Sequence, residues 1–515
     1  MTLDERAASL SHQEIVALLV SHEALERQVI WFQRQLFGAK SERRLVGPEG
    51  RQLMLGEIAS PTPQASVPTR DVQAYRRRMA RSAVEDEGDG GHRFDASVPV
   101  EVMEEPLPEG VNLETHEVVD EKITDRLAQR PGTYVVIRHV RKVVKRKSDG
   151  QLICAPAPPA VLERCLADVS LLAGMVIDKM VYHLPLYRQH QRMAAAGVHL
   201  ARADLTNWMH GVGDLLVPVY RAQVASIVAG RVATMDETPI RAGRDRPGRM
   251  KRGYFWPVYG DRDEVVFPFS ASRGEAVVRE TLRGFSGTLV TDGYEVYASY
   301  ARTVNGVVHA LCWSHARRSF ESALDASPAL CGEALERIGA IYEHEATLRT
   351  RNLSAEKRLA YRAEHTRPAV ELFFEWLRRA VEENLLLPSH PFLKAANYAL
   401  ERETGLKVFL EYPDVPIDTN HLEREIRPIA VGRKNWLFCW TEIGAEYVGV
   451  LQSLLATCRL QGVNPYTYLL DVLQRVDAHP QSRVHELTPR LWKEHFAHNP
   501  LRSHVDRVPR PHAVP

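Results

Sequence analysis

The sequence predicts an α/β fold: a mixed sheet interrupted by a helical insertion, preceded by a coiled-coil helix, a small β-rich module and a helical region. Three observations carry this expectation. Two short runs, Val232-Ala-Thr-Met-Asp236 and Gly287-Thr-Leu-Val-Thr-Asp292, read as strands that each end in an acid. Residues 325–410 hold no strand pattern and look helical throughout. The block from Asp418 to Phe438 then concentrates acids, an amide and cations in one place.

The totals bound the reading. At 515 residues the chain exceeds one core and suggests three or four domains. Its 44% hydrophobic content is ordinary for a globular protein, with no apolar run long enough to span a membrane. The start, Met1-Thr-Leu-Asp-Glu-Arg6, has acids where a secretory leader would be apolar. Six cysteines without a CxxC pair argue against a disulfide framework and for a reducing cytoplasm. A net charge of +1 means that any nucleic-acid binding depends on local patches.

Taken in order, residues 1–45 carry a helix with Ile15, His22, Val29 and Leu36 in one heptad series and Leu18, Leu25 and Phe32 in the other. This is the pattern of a dimerising coiled coil, and an amphipathic helix packed on its own domain gives the same spacing. Residues 46–95 are rich in Pro, Gly, Ser and charge and read as a flexible linker. Residues 96–158 form the β-rich module. Within it, six Lys or Arg between 138 and 147, among them Arg141, Lys142 and Lys145, suit either a basic ribbon on DNA or an edge strand protected by charge. Residues 159–230 are helical. Leu184 to Gly197 and Val198 to Trp208 read as two helices about a glycine turn, the pattern of a helix-turn-helix and of any two packed helices.

Residues 231–324 alternate strand and helix. The Asp236 strand, a hairpin of Gly253–Tyr259 with Glu264–Phe269, a helix near 274–284, the Asp292 strand and Val307–Cys312 describe a sheet of the ribonuclease-H type. The helical insertion at 325–410 follows. Residues 411–480 resume the core, with a helix from Ala445 to Leu460 and another capped by Asn464. Residues 481–515, rich in Pro, His and Arg, read as a loosely ordered tail.

In the late block, Leu422, Ile426 and Ile429 make one apolar helix face and Glu423 and Arg427 share another. Pro428 should stop or kink that helix. Gly432-Arg433-Lys434 reads as a basic turn. Asn420 and Glu423 are also spaced as a capping box. Glu425 lies about 200° round from Glu423, so the two cannot face one ion. The three acids Asp236, Asp292 and Glu423, brought together, would suit Mg²⁺ or Mn²⁺ and two-metal phosphodiester chemistry.

Asp236-Glu-Thr-Pro, Thr291-Asp292-Gly-Tyr, Cys312-Trp-Ser-His315-Ala-Arg-Arg318 and Asn420-His-Leu-Glu423…Gly432-Arg-Lys-Asn-Trp-Leu-Phe438 resemble the DDE transposases of the bacterial insertion-sequence sixty-six family. Trp31…Lys40-Ser-Glu42, Ala155-Pro-Ala-Pro-Pro159 and His183-Leu-Pro-Leu-Tyr-Arg-Gln189 extend the match over nearly the whole chain. The resemblance implies a ribonuclease-H-like catalytic domain with Asp236, Asp292 and Glu423 as its metal-binding triad. Arg427, Arg433 and Lys434 would position phosphates, and Cys312, His315 and Asn420 would support the site. It also implies double-stranded DNA as substrate (element ends and target), a homo-oligomer, small accessory transposition proteins and a place at the bacterial nucleoid. The family's paired cysteines before Ala155 are missing, since none lies between 1 and 153, which argues against a zinc module there. A silent DNA-binding repressor and a nuclease without strand transfer are the competing functions.

Overall fold

The computed structural model describes residues 98–506, except 108–112, 115, 131, 164, 247–248, 352 and 385. The expected coiled-coil helix and linker, and residues beyond 506, lie outside the described residues. Arg93–Glu321 and Glu333–Pro515 make one compact unit. Ser322–Gly332 group with the N-terminal residues and hold only the end of one helix and the start of the next.

The β-module contains β1 (Val100–Glu104), β2 (His116–Arg130), β3 (Thr133–Arg146) and β4 (Leu152–Cys154). β3 is its centre, pairing with β2 on one side and with β1 and β4 on the other. This excludes the edge-strand reading of its basic run. Both faces are covered: Tyr134 and Val136 join the main core, while Val135 and Ile137 pack with Val505. Burial on two sides explains the near-continuous apolar residues of this strand.

Three helices follow: α1 (Val169–Met180), α2 (Leu186–Ala195) and α3 (Arg202–Val228). Gly197 makes the turn between α2 and α3 at φ 81°. The five-stranded sheet is then built from β5 (Val232–Met235), β8 (Val258–Gly260), β9 (Glu264–Val266), β11 (Gly287–Thr291) and β12 (Val307–Leu311), in the order β12-β11-β5-β8-β9. β5, β8 and β9 are mutually antiparallel, and β11 and β12 run parallel to β5. The expected hairpin exists, but Pro257 and Pro268 each break a strand of it. Its outer halves belong to a separate sheet of β6 (Thr238–Arg246), β7 (Arg249–Phe255) and β10 (Phe269–Ser270), which the sequence reading did not anticipate.

One face of the main sheet packs on α4 (Glu275–Thr281) and α5 (Glu295–Thr303) through Val278, Leu282, Leu289, Tyr297 and Tyr300. α6 (Trp313–Ala323) leads from β12 into an all-helical stretch: α7 (Pro328–Arg351), α8 (Ala355–Tyr361), α9 (Arg367–Glu383), α10 (Pro391–Glu401) and α11 (Glu403–Lys407). Then come α12 (Asn420–Gly432), α13 (Glu442–Leu460), α14 (Pro465–Arg475) and α15 (Pro489–His495). Two expectations are corrected here. α12 continues through Pro428 to Gly432, because burial of Leu422, Ile426 and Ile429 along one side outweighs a lost backbone bond. The tail is ordered up to Asp506. Leu487, Trp492 and Val505 are buried, the Trp492 indole donates to Asp471 at 2.7 Å, and the Ser503 hydroxyl donates to Asp168.

α13 is buried along most of its length and packs on α3 and β9. It comes so close that a Cβ on Gly449 would lie 2.3 Å from the Phe267 carbonyl. β9 is an edge strand, and polar side chains take the place of a neighbouring strand. The Val265 amide donates to the Thr457 hydroxyl at 3.1 Å, the Phe267 amide donates to Ser453 at 2.8 Å, and Gln223 donates to the Val265 carbonyl at 2.8 Å. Thr457→Val keeps the volume and leaves a buried amide without its acceptor, a loss of about 1–3 kcal/mol. Urea unfolding checks this, and an unchanged midpoint would show that the strand edge does not depend on Thr457.

Candidate functional site

Two parallel neighbours, β5 and β11, aim their acids at one end of the sheet. Val290 stands opposite Thr234, and that register carried two residues on puts Asp292 beside Asp236. Each carboxylate folds back on its own turn: Asp236 accepts from the Glu237 amide at 2.7 Å, and Asp292 from the Tyr294 amide at 2.8 Å. Gly293, at φ 96°, permits the sharp exit after Asp292. Tyr398 of α10 donates its hydroxyl to the Asp292 carbonyl at 2.7 Å, so the helical stretch reaches the site.

Glu423 sits in the first turn of α12, which is pinned in several ways. His421 meets the Thr234 hydroxyl of β5 at 3.1 Å. The Thr419 amide and hydroxyl both donate to the Cys312 sulfur at 3.3 Å. Asn420 lies inside the helix and donates its side-chain amide to Asp418 at 2.8 Å. The capping-box reading of Asn420 and Glu423 is therefore corrected: Thr419 is the residue before the helix, and the Glu423 carboxylate turns to Arg318 of α6 at 2.5 Å. His315 is 4.0 Å from the same carboxylate. Glu425 points the other way and pairs with Arg459.

The electrostatics tie the three acids together. The Asp236 carboxyl is pushed up to about 7. Burial is the largest cause and the Asp292 charge the next; the Glu237 amide opposes it, and the charges on Glu237 and Glu423 add to it. Burial and the adjacent Arg318 push the His315 imidazole down, against the pull of Asp292 and Glu423. The cleft beside them has a volume of about 600 Å³ and is lined by Asp236, His315, Arg318, Glu423, Arg424 and Arg427, among others.

Crowded carboxylates that raise one another's pKa are relieved by a cation, and oxygen donors suit Mg²⁺ or Mn²⁺. Among the described residues no group of three His, Cys, Asp or Glu closes round one point. Magnesium, however, commonly takes one or two carboxylates and completes its shell with water and substrate phosphate. Asp236 and Asp292 offer that pair, whereas Glu423 is occupied by Arg318.

The other expected residues are dispersed. Arg433 donates to the Pro239 carbonyl at 2.7 Å, Lys434 is exposed beside it, and Arg427 lines the cleft. Arg141 donates to Ala155 and Thr124, and Lys142 pairs with Glu104 at 3.4 Å, so both are engaged inside the β-module; Lys145 is exposed. Sequence reasoning gave no role to Arg318, although it closes the Cys312-to-Arg318 motif three residues after His315. It missed Tyr398, for which only the fold supplies a signal.

Comparison with known proteins agrees with this arrangement. A family model described as "Transposase IS66 family" matches residues 164–447, "IS66 C-terminal element" matches 453–490, and "Transposase C of IS166 homeodomain" matches 24–102. The chain is 30% identical to "Uncharacterized protein y4hP" of Sinorhizobium fredii (strain NBRC 101917 / NGR234), covering 91% of this chain and 89% of the relative. It is 29% identical to "Uncharacterized protein y4jD" of the same strain, covering 91% and 94%. The chain belongs to the IS66 transposase family.

Proposed function

We propose that this chain cuts and joins DNA at the terminal inverted repeats of an insertion sequence, using a ribonuclease-H-like core with Asp236, Asp292 and Glu423 as its acids. The carrying observation is the pair of parallel strands that ends in Asp236 and Asp292, with the Glu423 charge felt at Asp236. A sheet of three antiparallel and two parallel strands supports the fold assignment. A bound divalent cation would polarise the phosphodiester and activate a water or a 3′-hydroxyl. Asp236 and Asp292 would hold it. Arg318 keeps the Glu423 carboxylate in place until substrate arrives, and the Cys312–Thr419 contact holds the start of its helix. Arg424 and Arg427 sit where the approaching phosphates must pass. Arg433 and Lys434 continue that line of charge, and Lys145 is the exposed member of the β-module's basic run. The helix at 1–45 would pair subunits so that two element ends meet, and accessory proteins would join the complex.

The test is a reaction of the full chain with end-labelled inverted-repeat duplex, target plasmid and Mg²⁺. Nicked ends followed by joined products are expected. Binding without nicking would leave a repressor, and nicking without joining would leave a nuclease.

A further inference from the structure

We infer that the β6–β7 hairpin and the turn after α12 form a separate phosphate grip for the DNA backbone, outside the cleavage cleft; this rests on the transposase reading above. A cavity of about 320 Å³ is lined by Pro239, Ile240, Arg241, Arg252, Arg433 and Lys434. Four of these six are cations and none is an acid.

The way the cations are held is the argument. Arg241 and Arg252 are direct partners across the antiparallel β6–β7 pair, a placement in which like charges repel. No carboxylate among the described residues lies within ion-pair distance of Arg241, Arg252, Arg433 or Lys434. The hairpin's other cations do have neighbours: Arg249 pairs with Asp245 at 3.5 Å, Lys251 with Glu442 at 2.9 Å, and Arg244 lies over the Trp440 ring. Arg433 is fixed by the Pro239 carbonyl, and Ile240 is buried beneath the strand. Backbone contacts thus gather positive charge that nothing in the protein neutralises. A phosphate between two guanidinium groups removes the repulsion and satisfies their donors.

Position selects the ligand. β6 starts two residues after Asp236, and α12 carries Glu423 in its first turn and ends at this cavity. Ten residues of helix span about 15 Å, equal to roughly four to five nucleotides of one strand. The grip would therefore hold the backbone roughly four to five nucleotides from the cleaved phosphate, fixing the register at which the end enters the cleft.

The experiment is fluorescence anisotropy of the full chain with an inverted-repeat duplex over a salt series. Wild type is compared with Arg241→Gln/Arg252→Gln and with Arg241→Lys/Arg252→Lys as a charge-keeping control. The Gln pair should lower the magnitude of the log K against log[salt] slope by about 2, at about 0.9 per lost phosphate contact, and the Lys pair should not. Neutral methylphosphonates four to five nucleotides from the cut should weaken wild type and leave the Gln pair unaffected. Equal slopes for wild type and the Gln pair would overturn the grip while leaving the cleavage reading intact. Absence of DNA binding by wild type would overturn both. Matching circular dichroism and melting curves establish that the variants are folded.

Discussion

Asp292→Asn should reduce strand cleavage at an inverted-repeat end by about 10³-fold or more while leaving DNA binding within a few-fold of wild type. The substitution keeps the shape of the side chain, and its amide oxygen can still accept from the Tyr294 amide, so the turn after β11 should survive. What it removes is a full negative charge next to Asp236. If the pair holds a divalent cation, the loss is several kcal/mol of charge stabilisation at the reacting phosphate, with each 1.36 kcal/mol worth a factor of ten. Asp236→Asn should behave alike. Asp292→Cys separates a ligand from a merely structural acid: it should be inert with Mg²⁺ and recover part of its activity with the more thiol-tolerant Mn²⁺. Denaturing gels of labelled duplex give the readout. Cleavage by Asp292→Asn above one tenth of wild type would remove this acid from the reaction.

The second large effect is on stability and lies away from the acids. Arg362 stands in a single π-turn between α8 and α9, with only 3% of its surface exposed. It donates to both oxygens of Glu345, at 3.0 and 2.7 Å, and to the carbonyls of Phe409, Tyr412 and Val415. One guanidinium thus ties α7 to the segment that returns from the helical stretch and runs directly into α12. Arg362→Met leaves Glu345 as an uncompensated buried charge and strands three carbonyls, an expected loss of about 3–5 kcal/mol. Adding Glu345→Leu should recover part of it, because an apolar pair no longer buries a charge, while the carbonyls remain without a donor. Urea denaturation of both variants measures this, and a single-variant loss below about 1 kcal/mol would mean that the pair is incidental. Because the same segment leads to Glu423, Arg362→Met should also cleave more slowly under conditions where it is still folded.

The readable parts of this protein were those written in short, local patterns. Five-residue β-branched runs marked β5 and β11, Asn464-Pro465 marked the start of α14, and Leu422, Ile426 and Ile429 marked the buried side of α12. The β6–β7 hairpin was not readable. Its residues, Thr-Pro-Ile-Arg-Ala-Gly-Arg-Asp-Arg and Arg-Met-Lys-Arg-Gly, lack the β-branched alternation of a half-buried strand, and pairing with each other and with β10 decides their conformation. β3 looked like a charged edge because its cations are obvious in sequence, whereas the strands on either side of it are not. The tail looked loose because its few anchors, Leu487, Trp492 and Val505, are spaced among polar residues. At the site, the acids were legible as strand ends. The partners that hold them, Arg318, Thr419 and Tyr398, depend on contacts between residues about a hundred positions apart.

The side-chain fringe along β9 has a consequence for biosynthesis. The Val265 amide waits for Thr457, 192 residues further along the chain. At about 5–20 residues per second, that acceptor leaves the ribosome roughly 10 to 40 s after the strand does. Throughout that interval the rim of the nascent sheet presents unpaired amides and carbonyls, the template on which a stranger's strand can add. Prematurely terminated products lacking Ser453 and Thr457 should therefore clump rather than persist as inactive monomers.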